Sequence, residues 1–351
     1  MKLREFQEEL QRLKLDAAVF LTNEQKHDLS IDYFTQTRID YGAFVVPARK
    51  EPFLLIPGFE YARIKESAPV RVVEAKKRLS DELKAWLGNA KRIGINEDLL
   101  SVSEEQRLKK ALKTKLIPVA SAIGKLRLTK TPAELKLLKQ AANIGCEIIN
   151  ECVDRFSRFK TEQEVDRFLR TRTIEAGCGL SFPPIVASGP AAAFPHHVPG
   201  GKLKRGLVVL DFGVRYKGYC SDMTRTIAYG KPTAQEREAY ENLLAVQEWA
   251  IAQMKPGTNA QKLETRVTRK LGSYGKYFIH RLGHSVGLQV HDVMTPEMSA
   301  KPVMKQGIVW TVEPGIYVPG KFGMRIEDTV MLTEDGCTVL TKNTPKRLNG
   351  S

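Results

Sequence analysis

The sequence predicts two domains of different class: an α/β domain at the N-terminus, then an α+β domain made of two helix-helix-strand halves, with its helices on one face of a curved antiparallel sheet. Three observations predict this. The chain has 351 residues, enough for two domains at roughly 100–200 residues each. Helix and strand patterns alternate up to about residue 122, and beyond it the order helix, helix, strand-rich sequence occurs twice. Between the two patterns, Lys125 to Pro132 is basic, poor in large apolar residues, and ends in a helix start signal. Thr131 suits the N-cap, Pro132 the first helical position, and Glu134 completes a capping box. The domains are therefore read as 1–122 and 132–351, with 123–131 as linker.

In the first domain, Leu3, Phe6, Leu10 and Leu13 at helical spacing predict an opening amphipathic helix, followed by a strand at Asp16 to Thr22. Two apolar runs within Tyr41 to Pro57, around Pro47-Ala48-Arg49-Lys50-Glu51-Pro52, predict a hairpin. Strands at Arg92 to Asn96 and Lys115 to Ala120 enclose a helix at Ser103 to Leu112. Nothing here gathers His, Asp or Glu, and His27 alone reads as a surface residue. In the second domain, helices are predicted to about Arg155 and at Glu162 to Ala176, then strand-rich sequence from Leu180 to Tyr229. The order repeats with helices at Ala234 to Met254 and Asn259 to Leu271, broken by Pro256-Gly257, and strand-rich sequence to the end. The duplication is architectural, without residue identity between the halves.

Composition excludes several classes. With 42% hydrophobic and 27% charged residues, the chain is neither disordered nor collagen-like nor a small disulfide scaffold. Its net charge is +15, of which residues 1–122 carry +4 and the rest +11. The bases are dispersed, without a run or aromatic interleaving, so a solvated basic surface is favoured over a nucleic-acid groove. Five cysteines, none in a C-x-x-C pair, read as free thiols in a reducing compartment. The charged N-terminus is unlike a signal peptide, and no apolar stretch approaches the ~18 residues of a membrane span. A cytoplasmic protein is expected.

Chemistry concentrates in two hairpins. Leu207 to Thr226 reads as strand, turn near Lys217-Gly218, and strand, with Asp211 and Asp222 equidistant from a midpoint between Tyr216 and Lys217. The two carboxylates are expected to face each other across an antiparallel pair, where repulsion costs stability unless a cation or a shared proton compensates. In Val309 to Thr329, Glu313 and Glu327 flank Pro319-Gly320 symmetrically about Gly320. Between the hairpins, His280 to Asp292 holds three of the six histidines, among them His284. Imidazole and carboxylate oxygen suit divalent manganese, cobalt, iron or zinc, and the lack of thiolate argues against a structural zinc site. Four carboxylates and one imidazole can hold two such ions.

In this order and with these local motifs, Asp211, Asp222, His284, Glu313 and Glu327 resemble the metal-ligand signature of the pita-bread metallopeptidases. These include methionine aminopeptidase, Xaa-Pro aminopeptidase (aminopeptidase P) and Xaa-Pro dipeptidase (prolidase). The resemblance covers nearly the whole chain, and the first domain resembles the creatinase-type N-terminal domain of the proline-directed branch, which makes methionine aminopeptidase unfit. It implies a pita-bread fold for 132–351 and two divalent metal ions, manganese first among the candidates. Asp211 would bind one ion, Asp222 and Glu327 would bridge both, and His284 and Glu313 would complete the other. It also implies catalytic roles for His196, with His197 the ambiguous neighbour in Phe194-Pro195-His196-His197, for His291, and for Glu313 as proton acceptor. His280 would line the substrate site and Arg325 would support the ligands. A homodimer acting on proline-containing peptides is expected.

Within the family, a dipeptidase must recognise the proline carboxylate, and similar prolidases usually place an arginine shortly after the step occupied here by His291-Asp292. Val293 to Lys305 contains no arginine, and lysine replaces it only as a point charge. The expectation is therefore a Xaa-Pro aminopeptidase, with Xaa-Pro dipeptidase as the alternative, supported by the chain's length. Non-catalytic peptide- or nucleic-acid-binding relatives, and creatinase, which shares the fold without metal, would not keep all five ligand positions.

Overall fold

The structure is a computed structural model that describes residues 2–293 and 303–348. The chain divides into two compact units, Met1–Leu126 and Arg127–Ser351. In the first, the elements run α1 (Lys2–Arg12), β1 (Ala17–Thr22), α2 (Leu29–Thr35), β2 (Gly42–Pro47), β3 (Phe53–Pro57), α3 (Gly58–Lys65), β4 (Arg71–Ala75), α4 (Leu79–Leu87), β5 (Arg92–Ile95), α5 (Val102–Leu112), β6 (Lys115–Pro118) and α6 (Ala120–Leu128). They form a six-stranded mixed sheet in the order β4-β3-β2-β1-β5-β6. Alternation along β1 explains why its sequence is apolar throughout: Ala18 and Phe20 join a core with Phe6, Leu10 and Phe34, while Ala17 and Val19 join another with Leu83, Leu87 and Leu108.

The sequence misses α2, α3, β4 and α4. Helix α2 is seven residues long, too short for a periodic signal, and is started by the Asp28 side chain, which accepts from Ser30 N. His27, expected on the surface, is half-buried, with Nε2 2.8 Å from Asp32 Oδ2. Most of the expected linker 123–131 is helical, because Ile123 and Leu126, three residues apart, pack onto the first unit's core.

The second unit holds α7 (Pro132–Asp154), α8 (Glu162–Glu175), β7 (Gly179–Leu180), β8 (Ile185–Ser188), β9 (Gly206–Phe212), β10 (Val214–Tyr216), β11 (Tyr219–Cys220), β12 (Met223–Tyr229), α9 (Ala234–Ala252), α10 (Ala260–Lys270), β13 (Val309–Val312), β14 (Gly315–Val318), β15 (Phe322–Arg325), β16 (Asp328–Leu332) and β17 (Cys337–Val339). The capping box of Thr131 and Glu134 opens α7. Helices α7 and α8 place Ala141, Ile149, Val165 and Leu169 against Val208, Leu210, Phe212 and Met223 of β9 and β12. Helices α9 and α10 place Leu243, Val246, Leu263 and Val267 against Val312, Ile316, Met324 and Val330 of the later strands. Each half thus packs its helix pair on one face of its strands and leaves the other face for the site. All five cysteines are free. Among the described residues, no helix is long and apolar enough to cross a membrane.

Candidate metal centre

Strand β9 is central, paired with β8 and β12. Its even residues Val208, Leu210 and Phe212 enter the core beneath α7 and α8, so Asp211 points to the opposite face. The register pairs Asp211 with Thr224 and Phe212 with Met223. This corrects the expected pairing of Asp211 with Asp222. The two-residue turn is Lys217-Gly218, both with positive φ (46° and 88°), so the hairpin is centred between them, one residue later than the midpoint of Asp211 and Asp222. Asp222 is therefore the diagonal neighbour of Asp211 on one face. At Gly213, opposite Asp222, a Cβ would stand 1.9 Å from Ser221 O, so only glycine permits this close approach of backbones.

The second hairpin keeps its expected centre. Val318 pairs with Phe322 and Gly315 with Arg325 around Gly320, and the same register resumes at Val312 with Asp328. Glu313 and Glu327 occupy the break between these paired stretches. The two hairpins meet where Glu327 N donates to Thr224 O at 3.1 Å and Thr224 Oγ1 donates to Glu327 Oε2 at 2.7 Å. His284 is docked along β13: its N donates to Thr311 Oγ1 at 2.9 Å, Thr311 N donates to His284 O at 2.9 Å, and Thr311 Oγ1 donates to Glu313 Oε1 at 3.1 Å.

These elements gather the acids and the imidazole. His284 Nε2 lies 3.5 Å from Asp222 Oδ2 and 3.3 Å from Glu313 Oε1. One ligand atom each of Asp222, His284 and Glu327 falls within 4.8 Å of the others. Asp211, Asp222 and Glu327 are 9%, 4% and 2% exposed. Burial, then the charges of Glu327 and Asp211, pushes the Asp222 carboxyl well above the usual range, and burial with the charges of Glu313 and Asp211 does the same to Glu327. Burial also raises Asp211, against the opposing charge of Arg325. Glu313 is raised by burial but lowered further by the hydrogen bond and charge of His284, so its carboxyl ends below the ordinary value.

Two buried oxygens, Asp211 Oδ1 and Glu327 Oε1, have no hydrogen-bond partner. Leaving such atoms unsatisfied costs about 1–3 kcal/mol each, more when charged. Hard oxygen donors beside an imidazole, mutually repelling and short of cations, fit divalent metal ions.

Among the described residues, Arg325 is the one guanidinium that donates to this cluster's ligand carboxylates. It is 4% exposed and donates to Asp211 Oδ2 (2.5 Å), Tyr317 OH (2.7 Å) and Thr224 Oγ1 (3.0 Å). His280 Nε2 lies 2.8 Å from the same Tyr317 OH. The rings of His284 and His291 are 4.0 Å apart. His196 is exposed; burial lowers both His280 and His291, with Arg325 adding to the effect at His280 and His284 at His291, against the opposing charge of Glu313. His197 points elsewhere: its Nε2 is 2.8 Å from Glu162 Oε2, and Glu162 also accepts from Ser188 and Gly200. Thr224 and Thr311, which donate to the Glu327 and Glu313 carboxylates, and Tyr317, which holds Arg325 and His280, are not read from sequence because hydroxyls on buried strands carry no spacing signal.

A family model described as "Metallopeptidase family M24" matches residues 136–334, and one described as "Creatinase/Prolidase N-terminal domain" matches residues 2–129. The Xaa-Pro dipeptidase of Pyrococcus furiosus is 37% identical over 320 residues, covering 90% of this chain and 91% of the relative. Among solved structures, the Xaa-Pro dipeptidase from Bacillus anthracis superposes with a TM-score of 0.90 at 31% identity, covering 99% of this chain and 98% of that one. The X-Pro aminopeptidase from Thermotoga maritima superposes with a TM-score of 0.89 at 30% identity, covering 97% and 99%.

Proposed function

The chain belongs to metallopeptidase family M24, and from that premise we propose that it is a Xaa-Pro dipeptidase, hydrolysing the bond between a first residue and a C-terminal proline. The observation that carries the metallopeptidase part is the buried cluster of Asp211, Asp222, His284, Glu313 and Glu327 with its two unpartnered oxygens. Support for the dipeptidase part comes from relatives named Xaa-Pro dipeptidase that match this chain nearly end to end. This reverses the preference drawn from sequence. That preference rested on the absence of arginine in Val293 to Lys305, and 294–302 of that segment lie outside the described residues. Similarity to an X-Pro aminopeptidase keeps cleavage of longer peptides as the second reading.

In this reading the five ligand side chains hold two divalent ions, manganese first, which when bound lower the pKa of water and polarise the scissile carbonyl. Glu313 accepts a proton on its carboxylate, which its lowered pKa keeps ionised and free to accept. His196 and His291, beside the cluster, donate to the developing oxyanion and to the departing proline nitrogen. Arg325 neutralises Asp211 on one oxygen and leaves the other for the ion. His280, steadied by Tyr317, lines the substrate side. A homodimer in the cytoplasm completes the proposal.

Comparing hydrolysis of Ala-Pro with Ala-Pro-Ala by the manganese-loaded protein tests the specificity. The expected result is cleavage of the dipeptide with kcat/KM at least about tenfold above that of the tripeptide, a difference of ~1.4 kcal/mol. Preference for the tripeptide would establish the aminopeptidase instead.

A further inference from the structure

A second cluster of buried charges lies in the same unit and has no part in the proposed chemistry. Lys130 Nζ donates to Asp292 Oδ2 at 2.7 Å, and Arg127 Nη2 donates to Asp292 Oδ1. The Lys130 and Asp292 side chains are 0% and 1% exposed. Lys130 Nζ also donates to Arg127 O at 2.6 Å, so the two cations are tied to each other.

Around this cluster the segment from Ser285 to Val293 closes on itself. Asp292 N donates to Ser285 O at 2.9 Å, Val293 N to Ser285 Oγ at 2.8 Å, and Gln289 N to Asp292 Oδ1 at 3.2 Å. At Gly287 a Cβ would stand 2.2 Å from Asp292 Oδ2 and 2.8 Å from Lys130 Nζ, so the loop lies directly on the ions. The loop begins one residue after His284 and carries His291 next to Asp292. Among the described residues, no side chain hydrogen-bonds the His291 imidazole, whose ring packs 4.0 Å from that of His284, so the backbone beside Asp292 is what delivers it to that contact.

Burying three charges costs several kcal/mol per ion before pairing repays it, and an apolar set of equal volume often holds a core as well. What the ions add is direction: Asp292 is gripped on both oxygens, by Arg127 at the end of α6 and by Lys130 just before α7. We propose that Arg127, Lys130 and Asp292 are positioning residues that set His291 against the metal-ligating face. The proposal rests on the reading of His291 as a proton donor.

The test is a double-mutant cycle on the manganese-loaded protein with Ala-Pro, using Lys130→Met, His291→Ala and the pair. Lys130→Met is expected to lower kcat about 10–100-fold, as misplacement near 1 Å does, with KM within about twofold. In the His291→Ala background it is expected to cost nothing further. Equal losses in both backgrounds, or no loss in either, would overturn the proposal. Arg127→Lys, which keeps the charge but not the fork, serves in the same cycle if Lys130→Met does not fold.

A readout independent of activity is the rate of histidine modification by diethyl pyrocarbonate, followed by mass spectrometry with His27 as internal reference. The His291 rate is expected to change more than twofold in Lys130→Met while that of His27 stays constant; an unchanged His291 rate contradicts the proposal. Should the wild-type protein fail to cleave Ala-Pro, the proposed activity falls, and the modification rates alone decide whether the ions position His291.

Discussion

Glu327 and Asp328 are neighbours in the chain and equally buried, 2% and 1% exposed, yet their carboxyls shift in opposite directions. Strand alternation sends them to opposite faces. Asp328 turns toward α9, where burial alone would raise it, but Arg225 and Lys346 bring it below the ordinary value and Thr341 and Gln247 donate to it. Arg225, itself 2% exposed, also donates to Glu327 O and to the carbonyls of Thr341 and Thr344. Glu327 turns toward Asp222, Glu313 and Asp211, receives one hydroxyl from Thr224, and keeps an oxygen without a partner. One face is a closed ion network; the other is short of positive charge. The contrast marks the face that would take a cation more sharply than the acidic cluster alone, since the adjacent residue shows what a satisfied buried carboxylate looks like.

The largest way to break the comparison is to remove an acid from the cation-poor face. Asp222→Ala or Glu327→Ala is expected to lower hydrolysis of Ala-Pro by at least about a thousandfold, as losing one member of a cooperating site does. Circular dichroism should remain that of the folded protein. Full activity in either variant would refute a metal role for these residues.

Stability gives the reciprocal test. Asp328→Ala strands Arg225 without its carboxylate and is expected to cost about 3–5 kcal/mol in urea unfolding, the scale for breaking a buried pair. Glu327→Ala in metal-free protein removes repulsion and should cost nothing or stabilise. Equal losses would show that the two faces do not differ.

The pH dependence carries the smallest effect, with a definite sign. Asp222 and Glu327 have folded pKa values above their unfolded ones, so without metal the folded state binds more protons than the unfolded state between the two values. Stability of the metal-free protein is therefore expected to fall as pH rises from about 4 through the raised values. Metal must displace those protons, so the stabilisation by manganese is expected to grow over the same window. Thermal unfolding with chelator or with manganese at several pH values checks both slopes.

Much of this contrast was legible in the sequence. Glu313 and Glu327 were readable because their symmetry about Gly320 is the symmetry of a hairpin, and the register preserves it across the break in pairing. Asp211 and Asp222 were readable as a pair but taken one residue out of register: their midpoint falls between Tyr216 and Lys217, whereas the turn, itself readable at Lys217-Gly218, is centred between those two residues. The closed network was not legible. Arg225, Asp328 and Lys346 are brought together by tertiary packing, and an isolated charge on a strand reads as a solvated one until its burial is known. The same holds for Lys130 and Asp292, separated by 162 positions. In the first unit, β1 to β3 announced themselves by apolar runs, whereas β4, sequence RVVEA at a sheet edge, did not.

The central claim is that the face carrying Glu327 is completed by divalent cations. The direct measurement is titration of metal-depleted protein with manganese, counting bound ions per chain by equilibrium dialysis, for wild type, Glu327→Ala and Asp328→Asn. The account predicts two ions in wild type, at most one in Glu327→Ala, and two in folded Asp328→Asn. No uptake by the wild type, or undiminished uptake by Glu327→Ala, would contradict it.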